Sequence, residues 1–225
     1  MKRITTLTGP SCAGKSTLED LMVANGCLGA ISHTTRQPRI GEEKHVDYYF
    51  IDVVTFKRLR AQGEFIESVQ FGEHFYGVSK AEIKRQFDNG DHIVLVCEPN
   101  GAKQISAWAK TRQDFKLTSV FVDNPESVTA DRFLRRTFDS ILNSALSGKL
   151  QQEKAFKAAA ERMVIMGGIE KGWRLEAYGN SAPWRDGDRA ANQSAFKYDI
   201  LVESFNQTNQ ENVLSQLTEP EPVTC

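Results

Sequence analysis

The sequence predicts an α/β protein: a central parallel sheet with helices crossing over its faces. Three observations carry this. Strand-like and helix-like runs alternate along the chain. The runs Val94-Leu95-Val96 and Val120-Phe121-Val122 are apolar at every position, as strands covered on both faces must be. A glycine-rich loop, Gly9-Pro10-Ser11-Cys12-Ala13-Gly14-Lys15-Ser16-Thr17, stands between a strand-like run and a helix-like run.

Taken in order, the first strand is expected at Ile4–Leu7, where Arg3-Ile4-Thr5-Thr6-Leu7 alternates. The loop that follows fits G-x-x-x-x-G-K-[ST], a phosphate-binding pattern that needs a strand before it and a helix after it. Gly9 and Gly14 let the backbone approach closely. Lys15 is expected to reach the β- and γ-phosphates, and the Ser16 hydroxyl to sit on Mg²⁺. Ser16–Ala24, with Leu18, Leu21 and Met22 on one side, reads as the helix. Further strands are expected at Gly29–Ser32, Ile93–Cys97, Leu117–Val122 and Ile200–Val202. Further helices are expected at Thr55–Gln62, Lys80–Asn89, Ala102–Lys110, Pro125–Leu146 and Gln151–Ile165. Pro125 suits a first helical turn, with Asn124 as its N-cap. Residues 167–196 lack a clean period and read as an insertion, although Trp173 and Trp184 argue that part of it packs. The polar end, 218–225, reads as a disordered tail.

Composition narrows the classes. The chain has 225 residues, 40% hydrophobic and 25% charged, with a formal charge of −1, so no global field attracts nucleic acid. No apolar run could span a bilayer, and Met1-Lys2-Arg3-Ile4 opens no signal core because Thr5, Thr6 and Thr8 interrupt it. Cys12, Cys27, Cys97 and Cys225 show neither C-x-x-C spacing nor His partners at ligand spacing. They read as reduced thiols of a cytoplasmic protein without zinc.

A second constellation lies downstream. Ser32-His33-Thr34-Thr35-Arg36-Gln37-Pro38-Arg39-Ile40-Gly41-Glu42 places two guanidinium groups in a Pro/Gly-bounded loop, and arginine forks suit a second phosphate. Asp47-Tyr48-Tyr49-Phe50, Gly63-Glu64-Phe65-Ile66-Glu67 and Phe75-Tyr76-Gly77-Val78-Ser79 follow. Singly, Tyr48 and Tyr76 read equally well as core aromatics, and Glu67 as a solvated charge. Together, in this order and spacing, these motifs closely resemble guanylate kinase over about residues 3–136, with weaker echoes beyond.

The resemblance implies a three-layer αβα P-loop fold in one domain spanning 1–225. Its core would comprise 1–32, 92–132 and 197–217, with a mixed α/β monophosphate-binding subdomain at 33–91 and a helical lid at 133–162. It implies that Gly9, Ser11, Ala13, Gly14, Lys15, Ser16 and Thr17, with Arg132 and Arg136, hold ATP with Mg²⁺. Arg36, Arg39, Tyr48 and Tyr76 would hold the acceptor phosphate, and Ser32 and Glu67 would face the base, with position 78 beside it. Glu98 matches the acidic position ending the third strand, near the nucleotide. Arg136 at the lid's entry and Arg162 on its return helix would join Lys15 as catalytic groups.

The base chemistry agrees with this. Guanine presents two adjacent donors, and one carboxylate can accept both. Thymine or adenine would leave it unsatisfied, at about 1–3 kcal/mol per buried group.

The chain also departs from the family pattern. Val78 stands where a hydroxyl residue is usual, and offers an apolar surface instead. Val96 replaces the first acid of a D-x-D pattern. The lid is longer than usual, and 167–196 is an additional insertion. The function so implied is phosphorylation of GMP or dGMP by ATP. The alternatives are a nucleoside monophosphate kinase with altered or base-modified preference, and a non-catalytic binding module. Nucleotides are the expected partners, with no nucleic acid or membrane, and a homodimer stays open.

Overall fold

The computed structural model describes residues 1–39, 41–145, 152–153, 156–157, 159–160, 163, 172–174, 177 and 197–218. The chain divides into two compact units. The first comprises Met1–Thr8, Ser16–Val120 and Gln207–Cys225, and the second Gly9–Lys15 and Phe121–Asn206.

The first unit begins with β1 (Lys2–Thr8) and α1 (Lys15–Ala24), followed by β2 (Leu28–Gly29), β3 (Ser32–Thr34) and β4 (Tyr48–Phe50). Next come α2 (Val53–Ala61), β5 (Phe65–Phe71), β6 (His74–Ser79) and α3 (Lys80–Phe87). β7 (His92–Val96), α4 (Pro99–Ala109) and β8 (Phe115–Val122) complete its main run. Its central sheet runs β2-β7-β1-β8, with β2, β7 and β1 parallel. Ile93, Val94 and Leu95 are fully buried, which explains why the run reads as uninterrupted apolar sequence.

A second, four-stranded sheet runs β4-β3-β6-β5, mixing one parallel pairing with two antiparallel ones. The expected strand at Gly29–Ser32 is in fact divided between the two sheets. Ala30 N–H still donates to Val94 O at 2.9 Å, but the next N–H, Ile31, donates to Glu82 Oε1 at 2.9 Å, and the chain leaves one sheet for the other. One core cluster serves both sheets. It holds Ile4, Ala30, Ile66, Val78, Ile83, Ile93, Leu95, Ile105 and Phe115.

Helix limits follow local chemistry. Asp52 caps α2 by accepting from Thr55 N–H, so the helix begins before the expected Thr55. α4 starts at Pro99 rather than Ala102, because proline is preorganised for the first turn and lacks only an N–H that would be unpaired there. The first unit ends with α6 (Gln210–Thr218).

The second unit holds the glycine-rich loop, the end of β8, α5 (Glu126–Ala145) and β9 (Ile200–Val202). Asp123 N–H donates to Val202 O at 2.8 Å where β9 lies beside the end of β8. Phe121 packs with Trp173, Ala177 and Tyr198, so part of the region read as an insertion is buried. Asn124, expected to cap α5, instead turns its side-chain amide to Ala13 O and Phe205 O. Most of the expected helix at 151–165, Arg162, Trp184, most of 167–196 and the tail from 219 lie outside the described residues.

Candidate active site

In the first unit, β3, β4 and β6 bring the expected acceptor residues together. Arg36 follows β3 and Tyr48 opens β4, where Ser32 and Tyr48 are parallel partners. Tyr76 on β6 pairs with Thr34. The Tyr48 and Tyr76 rings meet edge to face at 6.3 Å, and the Arg36 guanidinium lies 5.3 Å from the Tyr48 centroid. Burial raises the Tyr48 pKa, and the neighbouring Tyr76 adds to the rise, so the Tyr48 phenol stays a neutral donor.

The sequence reading gave Glu42 no role, yet it organises this cluster. Its carboxylate accepts from Arg36 Nη1 at 2.8 Å and Nη2 at 2.9 Å, and from the Arg39 N–H at 2.8 Å. Burial would raise the Glu42 pKa, but Arg36 and Arg39 together outweigh it, and the group sits below its ordinary range. The Arg36 fork is therefore held in one orientation, while the Arg39 side chain is half exposed, 3.9 Å from Glu42. The missed signal was a carboxylate closing the same Pro/Gly-bounded loop that holds both arginines.

Glu67 sits on β5 opposite Val78 and is 4% exposed. Its Oε2 has no hydrogen-bond partner among the described residues. A Cβ placed on Gly101 would lie 2.8 Å from that oxygen, so only a glycine can pack this closely against the carboxyl. Glu98 stands at the N-cap of α4 with a second buried, unpartnered oxygen, Oε1. Burial raises the Glu67 pKa to about 8; the backbone N–H of Val78 opposes the rise and Glu98 adds to it. Glu98 is also raised by burial, with the peptide groups of Asn100 and Gly101 and the Lys103 charge pulling it back. Position 78 differs from its expected part. The Val78 side chain is fully buried in the core cluster, and what reaches Glu67 is its main chain.

In the second unit, Gly9 has φ +145°, and a Cβ there would lie 2.0 Å from Val122 O, so no other residue fits. Gly14, at φ +103°, likewise backs onto the Phe205 ring. Lys15 Nζ folds over the loop, donating to Gly9 O at 2.8 Å and Pro10 O at 2.6 Å. Arg132 donates to Cys12 O at 3.2 Å, so the residue expected at the lid's entry braces the loop. Arg136 is exposed on α5. Arg174, buried and paired with Asp123 at 2.9 Å, was not anticipated; an arginine inside irregular sequence gives no local sign of its partner.

The donor set suits a metal that arrives with a nucleotide. Among the described residues no group of three His, Cys, Asp or Glu side chains could hold an ion. The Ser16 hydroxyl is exposed directly after Lys15, and Mg²⁺ commonly takes its other ligands from phosphates and water.

This geometry coincides with similarity to known proteins. The guanylate kinase family profile matches residues 1–168. The chain belongs to the guanylate kinase family. A guanylate kinase of Trichormus variabilis is 40% identical over 166 residues, covering 72% of this chain and 80% of that protein. Those of Francisella tularensis subsp. holarctica and Chromohalobacter salexigens are 41% and 37% identical over 106 and 101 residues. These two matches cover 45% and 44% of this chain, and span about half the relatives' length, 56% and 47%. The crystal structure of guanylate kinase from Anaplasma phagocytophilum aligns with TM-score 0.57 at 20% identity, covering 97% of this chain and 87% of that one. That likeness shows a shared fold. No helix among the described residues is long and apolar enough to cross a membrane.

Proposed function

We propose that this protein transfers the terminal phosphoryl group of ATP to GMP or dGMP, giving ADP and GDP or dGDP. The observation that carries the reading is the buried Glu67 carboxyl, whose Oε2 lies against Gly101 without a hydrogen-bond partner among the described residues. An ionised Glu67 accepts from guanine N1–H and the exocyclic amine together, and no other common base offers that pair. Ser32 and Glu98 complete the base-side surroundings. Arg36, Arg39, Tyr48 and Tyr76 hold the acceptor phosphate, with Glu42 presenting the Arg36 fork.

On the donor side, Gly9, Ser11, Ala13, Gly14, Ser16 and Thr17 hold the ATP phosphates, and Lys15 leaves its two loop carbonyls for the β- and γ-oxygens. Mg²⁺ bound with ATP would neutralise charge on those oxygens, with Ser16 as its protein ligand. Arg132, Arg136 and Arg162 add positive charge near the transferring group. No general base is needed, because the acceptor phosphate is already an anionic nucleophile. The chemistry is positioning plus charge stabilisation. A cytoplasmic location suits these substrates.

The test is a coupled ADP-release assay across all ribo- and deoxyribonucleoside monophosphates. The expected result is the highest kcat/KM with GMP or dGMP. A pyrimidine or adenine monophosphate in first place would overturn the base assignment, and no turnover with any acceptor would overturn the enzymatic reading.

A further inference from the structure

Arg174 lies in the segment that sequence periodicity leaves unassigned, yet it is only 7% exposed. Its Nε donates to Asp123 Oδ1 at 2.9 Å, and its Nη2 to Asn124 O at 3.1 Å and Thr129 Oγ1 at 3.3 Å. Asp123 Oδ1 also accepts the Asn124 N–H at 2.8 Å. Asn124 is thus gripped at both of its peptide groups, by Asp123 on the N–H side and by Arg174 on the carbonyl side. Its side-chain Nδ2 then donates to Ala13 O at 2.7 Å and Phe205 O at 3.1 Å.

The last contact matters because of peptide geometry. In a trans peptide the C=O and N–H point in opposite directions. Holding the Ala13 carbonyl toward Asn124 aims the N–H of Gly14 the other way. Backbone N–H groups of such a loop are what a phosphate binds.

We infer that Arg174 is a positioning residue for the phosphate loop: acting through Asp123 and Asn124, it fixes the Ala13–Gly14 peptide and so sets the affinity for the donor nucleotide's phosphates. This rests on the loop being the ATP site. A buried ion pair is by itself weak evidence of stabilisation, since apolar replacements of similar volume are often neutral. Orientation of the loop is something an apolar residue at 174 cannot supply.

The experiment uses the full chain with Arg174→Met, Arg174→Lys, Asp123→Leu and the Asp123→Leu/Arg174→Met double variant. It measures ADP affinity by calorimetry, KM for ATP and for GMP, and Tm. Arg174→Met is expected to weaken ADP binding and raise KM for ATP by about tenfold, within the range that small misplacements cause, with KM for GMP unchanged. Asp123→Leu, which removes the acceptor shared by Arg174 and the Asn124 N–H, should reproduce the shift, and the double variant should be no worse than either single one, because the two side chains act as one device. Arg174→Lys, which keeps the charge but cannot make all three bonds, should fall between wild type and Arg174→Met.

A lowered Tm with wild-type ADP affinity would overturn the inference by making the role purely structural. So would weakened ADP binding in Arg174→Met but not in Asp123→Leu, since the guanidinium would then act without Asp123. If Arg174→Met does not fold, wild-type ADP affinity in Arg174→Lys overturns it. Failure of the wild type to phosphorylate GMP would count against the proposed reaction and leave the ADP comparison intact.

Discussion

In the first unit, Glu67 Oε2 and Glu98 Oε1 are buried without partners among the described residues. In the second, the carbonyls of Gly9, Pro10, Cys12 and Ala13 each receive a donor, from Lys15, Lys15, Arg132 and Asn124. On the proposed function the two regions take ligands of opposite polarity. A base edge that presents N–H groups needs acceptors left vacant and kept out of water. An anion needs N–H groups, and a loop presents those by having its carbonyls tied back. Unsatisfied groups mark one kind of site, and fully satisfied ones the other.

The largest expected effect tests the satisfied side. Lys15→Ala should remove turnover by about 10²–10³-fold, the usual scale for a charge aimed at a transition state, while leaving Tm close to wild type. Near-normal kcat would break the comparison, because the lysine would then be a brace for Gly9 and Pro10 and nothing more.

The vacant side is tested by proton linkage. With a pKa of about 8, Glu67 is mainly a neutral acid near pH 7, offering one donor and one acceptor. Guanine requires two acceptors, so its binding draws on the ionised form and releases a proton. KM for GMP should therefore fall as pH rises toward about 8, by up to about tenfold per pH unit, with KM for ATP unaffected. Glu67→Gln should flatten that slope and reduce kcat/KM for GMP by roughly ten- to a hundredfold, the worth of one to two mispaired groups. A steep slope persisting in Glu67→Gln would move the titration to another group.

The smallest effect sharpens the role of position 78. Val78→Ser puts a hydroxyl into the apolar core cluster in place of a fully buried side chain. It should lower stability by about 1–3 kcal/mol through lost packing, read as a drop in Tm, and leave kcat/KM for GMP unchanged, because only the main chain at 78 reaches Glu67. An unchanged Tm would mean that the core around Ile66 and Ile83 tolerates the smaller, polar residue.

What the sequence made legible was local. The Gly9–Thr17 loop is contiguous, and its flanks declare themselves. β7 is readable because burial on both faces leaves only apolar residues. The fold class, the parallel sheet and the family followed from such stretches. The strand pairing of β3 through β6 was harder to read, since positions such as Ser32, Tyr48 and Glu67 carry polar side chains where periodicity would ask for apolar ones. The division of 28–34 between two sheets depends on Glu82 capturing the Ile31 N–H, a contact 51 residues away. Asn124 looked like a cap because nothing nearby shows that Ala13 O competes for its amide. Arg174 reaches Asp123 across 51 residues of chain, and no spacing rule marks the pair.

The vacant acceptors of Glu67 and Glu98 also bear on how long the protein lasts. Each buried polar group without a partner works against the folded state by about 1–3 kcal/mol, and on the proposed function a bound acceptor would relieve that load. Occupancy and resistance to unfolding are then linked: a ligand at a hundred times its Kd adds about 2.7 kcal/mol. Where a protease takes chains from the transiently open state, survival follows that free energy. An acceptor-starved molecule would be the first one degraded, so supply of the monophosphate would govern the amount of enzyme as well as its rate.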